Sequence, residues 1–176
     1  MTKITILATS LREKSNSQKL ARIFADIATD HSLETQLLDI RDLNLPLAGT
    51  AGCWEGSHMD TLKEAIESAS HIIFAVPIYC YDVNAATKNI IELVGRSFTQ
   101  KIVGFICAAG GSNSYMSVMG MANHLMLDFR TVIVPRFVYT DYSSWEESGE
   151  LKVDIKNRLE CLLKDLQKIT ITNLEQ

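Results

Sequence analysis

The chain has no cysteine pair at the spacing of a metal knuckle or a redox dithiol. Its four cysteines, Cys53, Cys80, Cys107 and Cys161, are scattered through 176 residues. That pattern suits reduced thiols in a cytoplasmic protein better than a disulfide framework. Histidine is as sparse. His31, His58, His71 and His124 make no HxxxH pair and no ligand cluster, so no metal site is expected. Basic charge is not in excess either: 17 Lys and Arg stand against 21 Asp and Glu, a net charge of −4. Such a chain carries no electrostatic footprint for nucleic acid or an anionic membrane. No apolar run approaches the roughly 20 residues of a membrane span. The N-terminus opens into a strand without the charged, apolar and cleavage regions of a signal peptide, so export is not expected. Familiar catalytic motifs are missing as well. There is no GxSxG elbow, no GxxxxGK[ST] loop, no GxGxxG turn and no cysteine followed six residues later by arginine. The third strand leads into Pro77, not into a phosphorylatable aspartate. Hydrolase, P-loop, dinucleotide-turn, phosphatase and receiver readings all lose their support.

What is present is the composition of a soluble globular protein, 47% apolar and 22% charged, at a length expected for one domain. The informative stretch is Lys3–Leu20. Ile4–Ala8 is a short β-branched run that reads as a buried strand, a hydroxyl-rich loop follows, and Leu20, Ile23, Phe24 and Ile27 then recur at helical spacing. The first amides of such a helix lack internal partners and the helix dipole adds positive charge there, which suits an anion. Ser10, Ser15 and Ser17 offer hydroxyl donors and Arg12 a two-pronged cation. An ordinary βα turn with Ser15 or Ser17 as N-cap explains the same local pattern.

Further along, Leu33–Ile40 reads as a second strand, and Asp39–Ser57 as a long irregular connection. On it, Cys53 and Trp54 either cover a ligand or pack the loop. A helix carries Leu62, Ala65, Ile66 and Ala69. His71–Val76 is a third strand ending at Pro77, Pro77–Asn84 is its exit loop, and Asn84 is placed to cap a helix over Ala85–Arg96. Lys101–Ala109 is a fourth strand with a glycine-rich exit, Gly110–Ser114, and Tyr115–Leu127 is helical. Val132–Pro135 is a fifth strand, Phe137–Glu150 a loop with Tyr139, Tyr142 and Trp145, and Val153–Ile169 an amphipathic helix. Residues after Ile171 are expected to fray.

Five βα units imply an α/β, three-layer fold: a five-stranded parallel sheet covered on both faces by helices, in the flavodoxin-like order 2-1-3-4-5. That order brings a ligand to the carboxyl ends of the strands at the β1/β3 switch point. Thr9–Ser17, Pro77–Asn84 and Ala109–Ser114 meet there, and these are the loops of unusual composition.

Two of them carry a family resemblance. SLREKSNSQKLA (Ser10–Ala21) is similar to the GSLR-x-x-S-x-N-x-x-LA signature of the NAD(P)H-dependent FMN reductases, and VPIYCYDVNAATKN (Val76–Asn89) to their TPEYN…LKN segment. Gly110-Gly111 is a third match. The chain differs from the pattern at Thr9 (often Gly), Ser17 (usually Asn), Ile78 (Glu), Cys80 (Asn) and Thr87 (Leu). The resemblance implies FMN as cofactor and NADPH or NADH as electron donor. Ser10, Arg12, Ser15, Ser17 and Gln18 would hold the phosphate. Pro77, Ile78, Tyr79 and Cys80 would lie along the ring and ribityl chain, with Gly110, Gly111 and Ser112 at the pyrimidine edge. It further implies a homodimer or tetramer with the flavin near a subunit boundary, and the helix over Ala85–Arg96, with Ile90, Ile91 and Val94, follows the ring-facing loop.

Flavin carries its own redox chemistry, so the protein has to bind, orient and tune it. No side-chain acid or nucleophile is needed, and none is assigned. The expected reaction takes hydride from NAD(P)H to flavin and on to a small-molecule acceptor such as free flavin or a quinone. A flavodoxin-like electron carrier and a non-catalytic FMN-binding protein are the alternatives. Cys80 reads either as a redox thiol or as a small residue in a tight loop. Tyr139, Tyr142 and Trp145 read as flavin cover, subunit contact or loop packing.

Overall fold

The strands form where β-branched and aliphatic residues run together and end where hydroxyls, glycine or proline begin. The computed structural model describes residues 3–171, so the expected fraying after Ile171 lies outside the described residues. In chain order they are β1 (Lys3–Ala8), α1 (Asn16–Asp30), β2 (Glu34–Asp39), α2 (Ser57–Glu67), β3 (His71–Tyr79), β4 (Asp82–Val83), α3 (Ala85–Val94), β5 (Ile102–Ala108), α4 (Met119–Phe129), β6 (Val132–Ile133), β7 (Val138–Thr140) and α5 (Val153–Lys168). The sheet runs β2-β1-β3-β5-β6, all neighbours parallel. That is the expected 2-1-3-4-5 order, with seven strands in place of five.

Two strands account for the difference. The fifth position is split: β6 and β7 both pair in parallel with β5, at Ile102–Val103 and at Ile106–Ala108. Pro135 lies between them, and Arg136 N donates back to Val134 O (2.7 Å), a tight kink that interrupts the ladder. Tyr139 is therefore in a strand and not in a loop. The other addition is β4, which folds back antiparallel on the end of β3, pairing Ile78 with Val83 and Tyr79 with Asp82.

β3 also runs past Pro77, where a stop was expected. Its register with β1 ends at Ala8↔Ala75, and Thr9 N donates to Ala75 O (3.1 Å). Two residues on, Pro77 turns the same way in the pleat, toward a side where β1 has already ended. The missing N–H of proline costs no ladder bond there, while Pro77 still pairs with Ala108 of β5. Cys80 and Tyr81 form the two-residue turn into β4 with φ of +50° and +61°. Both central residues are left-handed, as a type I′ hairpin requires.

Side chains of β3 alternate between two cores. Ile72, Phe74 and Val76 enter the layer of α2, α3 and α4, where Phe74 stacks near Phe98 and Phe105 at centroid distances of 5.4 and 5.7 Å. Ile73 and Ala75 enter the layer of α1 and α5 with Phe24, Leu159 and Leu163. Ile90, Ile91 and Val94 of α3 are buried in the first of these cores, so they are not available to a partner subunit. On the long connection, Cys53 is fully buried, whereas Trp54 is 57% exposed. Cys53 thus packs the loop and Trp54 does not. The loop is also fastened by Asn89, whose amide accepts from Ala48 N and donates to Pro46 O, both at 2.8 Å. α4 starts only at Met119, because the preceding residues form short turns, with the Ser117 hydroxyl donating to Ser114 O. No helix among the described residues is long and apolar enough to cross a membrane.

Candidate active site

At the carboxyl rim of the sheet, the loop after β1, the β3–β4 hairpin and the exit of β5 enclose a cleft of about 490 Å³, a size suited to a small-molecule ligand. Of the expected site residues, Arg12, Ser15 and Ser17 line it from the loop after β1, Pro77, Ile78, Tyr79 and Cys80 from the β3–β4 hairpin, and Gly110 from the exit of β5. Lys14, Asn16, Ala108, Ala109 and Tyr142 complete the lining.

The polar end fits a phosphate. Among the described residues the Arg12 guanidinium and the Lys14 ammonium have no partner, and the amides of Glu13, Lys14 and Ser15 donate to no group. Ser15 Oγ and Ser17 Oγ lie 2.9 Å apart, so one hydroxyl proton joins them and the other is left for a ligand. Ser15 stands at the N-cap of α1 but makes no side-chain capping bond. Its hydroxyl is thereby kept for the cleft. The other end fits a flat ring. Ile78 and Tyr79 give apolar and aromatic cover, and a Cβ added at Gly110 would lie 3.8 Å from the Tyr142 ring. The amides of Gly110 and Gly111 also have no partner among the described residues. FMN, a dianionic phosphate joined to a tricyclic ring, matches this donor set. Among the described residues no cluster of His, Cys, Asp or Glu could hold a metal.

Four expected residues stand beside the cleft. Ser10 is fully buried, and its hydroxyl accepts from Arg12 N (3.3 Å), which shapes the loop from below. Gln18 turns away: Nε2 donates to Ser10 O (3.2 Å) and to both carboxylate oxygens of Asp39 (2.9 Å each). Gly111 O accepts from the Tyr139 hydroxyl, which also meets Ser114 Oγ at 2.8 Å, and Ser112 opens a short 3₁₀ turn. Tyr139 therefore holds the glycine exit in shape.

Two features escaped sequence reasoning. Asp39 and Arg41 form an ion pair at 2.5 Å directly behind the phosphate loop. Burial raises the Asp39 pKa, but hydrogen bonds from the Arg41 side chain and backbone, the charge of Arg41 and the Gln18 amide outweigh it and hold it below the ordinary 3.8. Second, Asn84 does not cap α3. Its Nδ2 donates to Thr9 O (2.8 Å), and its Oδ1 accepts from Thr87 Oγ1 (2.6 Å) and Thr9 Oγ1 (3.2 Å). The two departures from the family pattern at Thr9 and Thr87 thus meet in one buried network. Of the three aromatics singled out in the sequence, Tyr142, exposed to 73%, lines the cleft from a 3₁₀ turn whose Asp141 capping box fixes it. Trp145, on the same loop, packs under Lys19 (Nζ 5.3 Å from the ring).

Comparison with known proteins agrees with this geometry. Residues 2–144 match the model of the NADPH-dependent FMN reductase family. An NAD(P)H-dependent FAD/FMN reductase of Geobacillus thermodenitrificans is 24% identical over 68% of this chain, and the match spans 65% of that protein's length. An NADPH:quinone oxidoreductase of Arabidopsis thaliana is 25% identical over 96% of this chain and 92% of its own. In fold, the chain superposes on an NADH:FMN oxidoreductase in its apo form with a TM-score of 0.80, at 16% identity, covering 97% of this chain and 91% of that one. The chain belongs to the NADPH-dependent FMN reductase family, and it is an NAD(P)H-dependent flavin oxidoreductase.

Proposed function

We propose that the cleft binds FMN with its phosphate against Arg12, Ser15, Ser17 and the free amides of Glu13 and Lys14, and with its ring between the β3–β4 hairpin and Gly110. The observation that carries this reading is the pairing, in one cleft, of the Arg12 and Lys14 side chains, unpartnered among the described residues, with a wall formed by Ile78, Tyr79, Gly110 and Tyr142. When bound, FMN supplies hydride acceptance and release. The protein's own part is to neutralise the phosphate, shape the ring slot, and present the Gly110 and Gly111 amides to negative charge.

The acceptor is a small planar molecule, a quinone or free flavin, which the open ring slot flanked by Tyr79 and Tyr142 would admit. The protein works as a single-domain cytoplasmic enzyme, a reading supported by its four free thiols, two of them exposed. It acts as a homodimer through the rim, where Leu11, Tyr81 and Tyr142 are well exposed; sedimentation at micromolar protein is expected to give twice the monomer mass. The activity test is direct. The purified protein retains FMN, consumes NADPH or NADH in air, and reduces a quinone at the nucleotide's expense. Retained flavin with no nucleotide consumption would make it an electron carrier instead.

A further inference from the structure

We propose that Arg41 is a positioning residue that sets the phosphate cradle from behind by holding loop carbonyls, so that the opposite amide hydrogens face the ligand. The proposal rests on the reading of the cleft as an FMN site and goes beyond it to a residue outside the cleft.

The Arg41 guanidinium is fixed on one edge. Nε donates to Asp39 Oδ1 (3.0 Å) and Nη2 to Asp39 Oδ2 (2.5 Å), and Nη2 also donates to Gln18 Oε1 (2.6 Å). Asp39 is itself held by the backbone amide of Arg41 at 3.1 Å. With that edge committed, Nη1 points at the loop and donates to Arg12 O (3.3 Å) and Glu13 O (3.4 Å). Gln18 Nε2 takes a third carbonyl, Ser10 O, at 3.2 Å.

A trans peptide points its C=O and its N–H in opposite directions. Holding Arg12 O and Glu13 O from behind therefore turns the amides of Glu13 and Lys14 to the other side, and the Ser10 O bond does the same for the amide of Leu11. None of these three amides has a partner among the described residues, and Arg12, Lys14 and Ser15 line the cleft. The carbonyls of Ser10, Arg12 and Glu13 are held from behind, and the free amides of Leu11, Glu13 and Lys14 stand opposite them, the kind of donor set an anion-binding loop presents. Arg41 suits the task where lysine would not, because only a planar fork grips Asp39 with one edge and two carbonyls with the other.

The test compares FMN with riboflavin, which carries the same ring and ribityl chain without the phosphate. Both are titrated by fluorescence quenching into flavin-free full-length wild type, Arg41→Gln and Arg41→Lys. The expected result is an FMN Kd raised about tenfold in both variants, with riboflavin affinity changed less than about twofold. The riboflavin arm shows on the same samples that the ring slot is intact. Three results would overturn the proposal. Unchanged FMN affinity removes Arg41 from the cradle. An equal loss for both flavins makes it a general scaffold residue. Full retention by Arg41→Lys makes its charge sufficient and its geometry irrelevant. Wild type that does not prefer FMN to riboflavin overturns the phosphate site itself, a failure distinct from the other three.

Discussion

The two ends of the cleft are built by opposite means. The end proposed to take the phosphate is held by charge and hydrogen bonds arriving from behind the loop, through Asp39, Arg41 and Gln18. The ring end is held by backbone geometry: β3 overruns its neighbour, and Cys80 and Tyr81 take left-handed conformations to turn the chain back. An anion needs donors aimed at fixed points, whereas a flat ring needs a wall that does not move. Between the two stands the buried Thr9–Asn84–Thr87 network, which ties the end of β1 to the start of α3.

Substitutions at each place should separate these contributions. Arg12→Ala removes a free cation from the phosphate end and is expected to weaken FMN binding by about 1.5–3 kcal/mol, the range for a hydrogen bond to a charged group. Riboflavin binding should hardly change, and fluorescence titration of both flavins checks it. Thr87→Val cuts the link between the ends. It removes the donor to Thr9 Oγ1 (2.7 Å) and Asn84 Oδ1 in a fully buried site, and should lower unfolding stability by about 1–2 kcal/mol, measurable as a shift in urea midpoint.

Asp39→Asn probes the back of the phosphate end through pH. The folded Asp39 pKa lies below the ordinary 3.8. Its ion pair with Arg41 therefore stabilises the fold fully above that ordinary value, and the contribution is lost as pH falls through the lower folded one. Wild type should lose stability in this acid window, and the Asn variant should show a shallower loss there, seen in urea midpoints collected from pH 7 down to about pH 2.5. The smallest effect is expected at the ring end. Cys80→Asn places a residue tolerant of the left-handed region at φ +50°, and should raise stability by about 0.5 kcal/mol. Thermal unfolding measures it, and an unchanged or lower midpoint would show that the hairpin holds no strain at that residue.

Much of this was legible in the chain. Runs such as Ile4–Ala8 and His71–Val76 are apolar without interruption, as strands buried on both faces must be, and they alternate with 3.6-residue stripes. The hydroxyl and arginine pattern of Ser10–Ser17 points to an anion, and that loop lines the cleft proposed to hold one. What was not legible depended on which neighbours a residue meets. Pro77 reads as a strand end, yet it is tolerated because β1 has already stopped beside it. Val132–Pro135 reads as one strand, yet the kink at Pro135 passes the ladder on to Val138–Thr140. Gln18 falls on the signature, and its side-chain amide binds Asp39, 21 residues away, a contact no local pattern announces. Ile90, Ile91 and Val94 read as an interface stripe, but they are core.

The order of apolar runs and polar turns by itself determined the layers, the sheet order and which three loops share a rim, because burial periodicity and crossover handedness leave little choice. Tertiary structure alone decided which side chains face the cleft and which brace it from behind. That choice rests on hydrogen bonds between residues far apart in the chain, such as Arg41 with Arg12 and Asn84 with Thr9, and no local pattern encodes them.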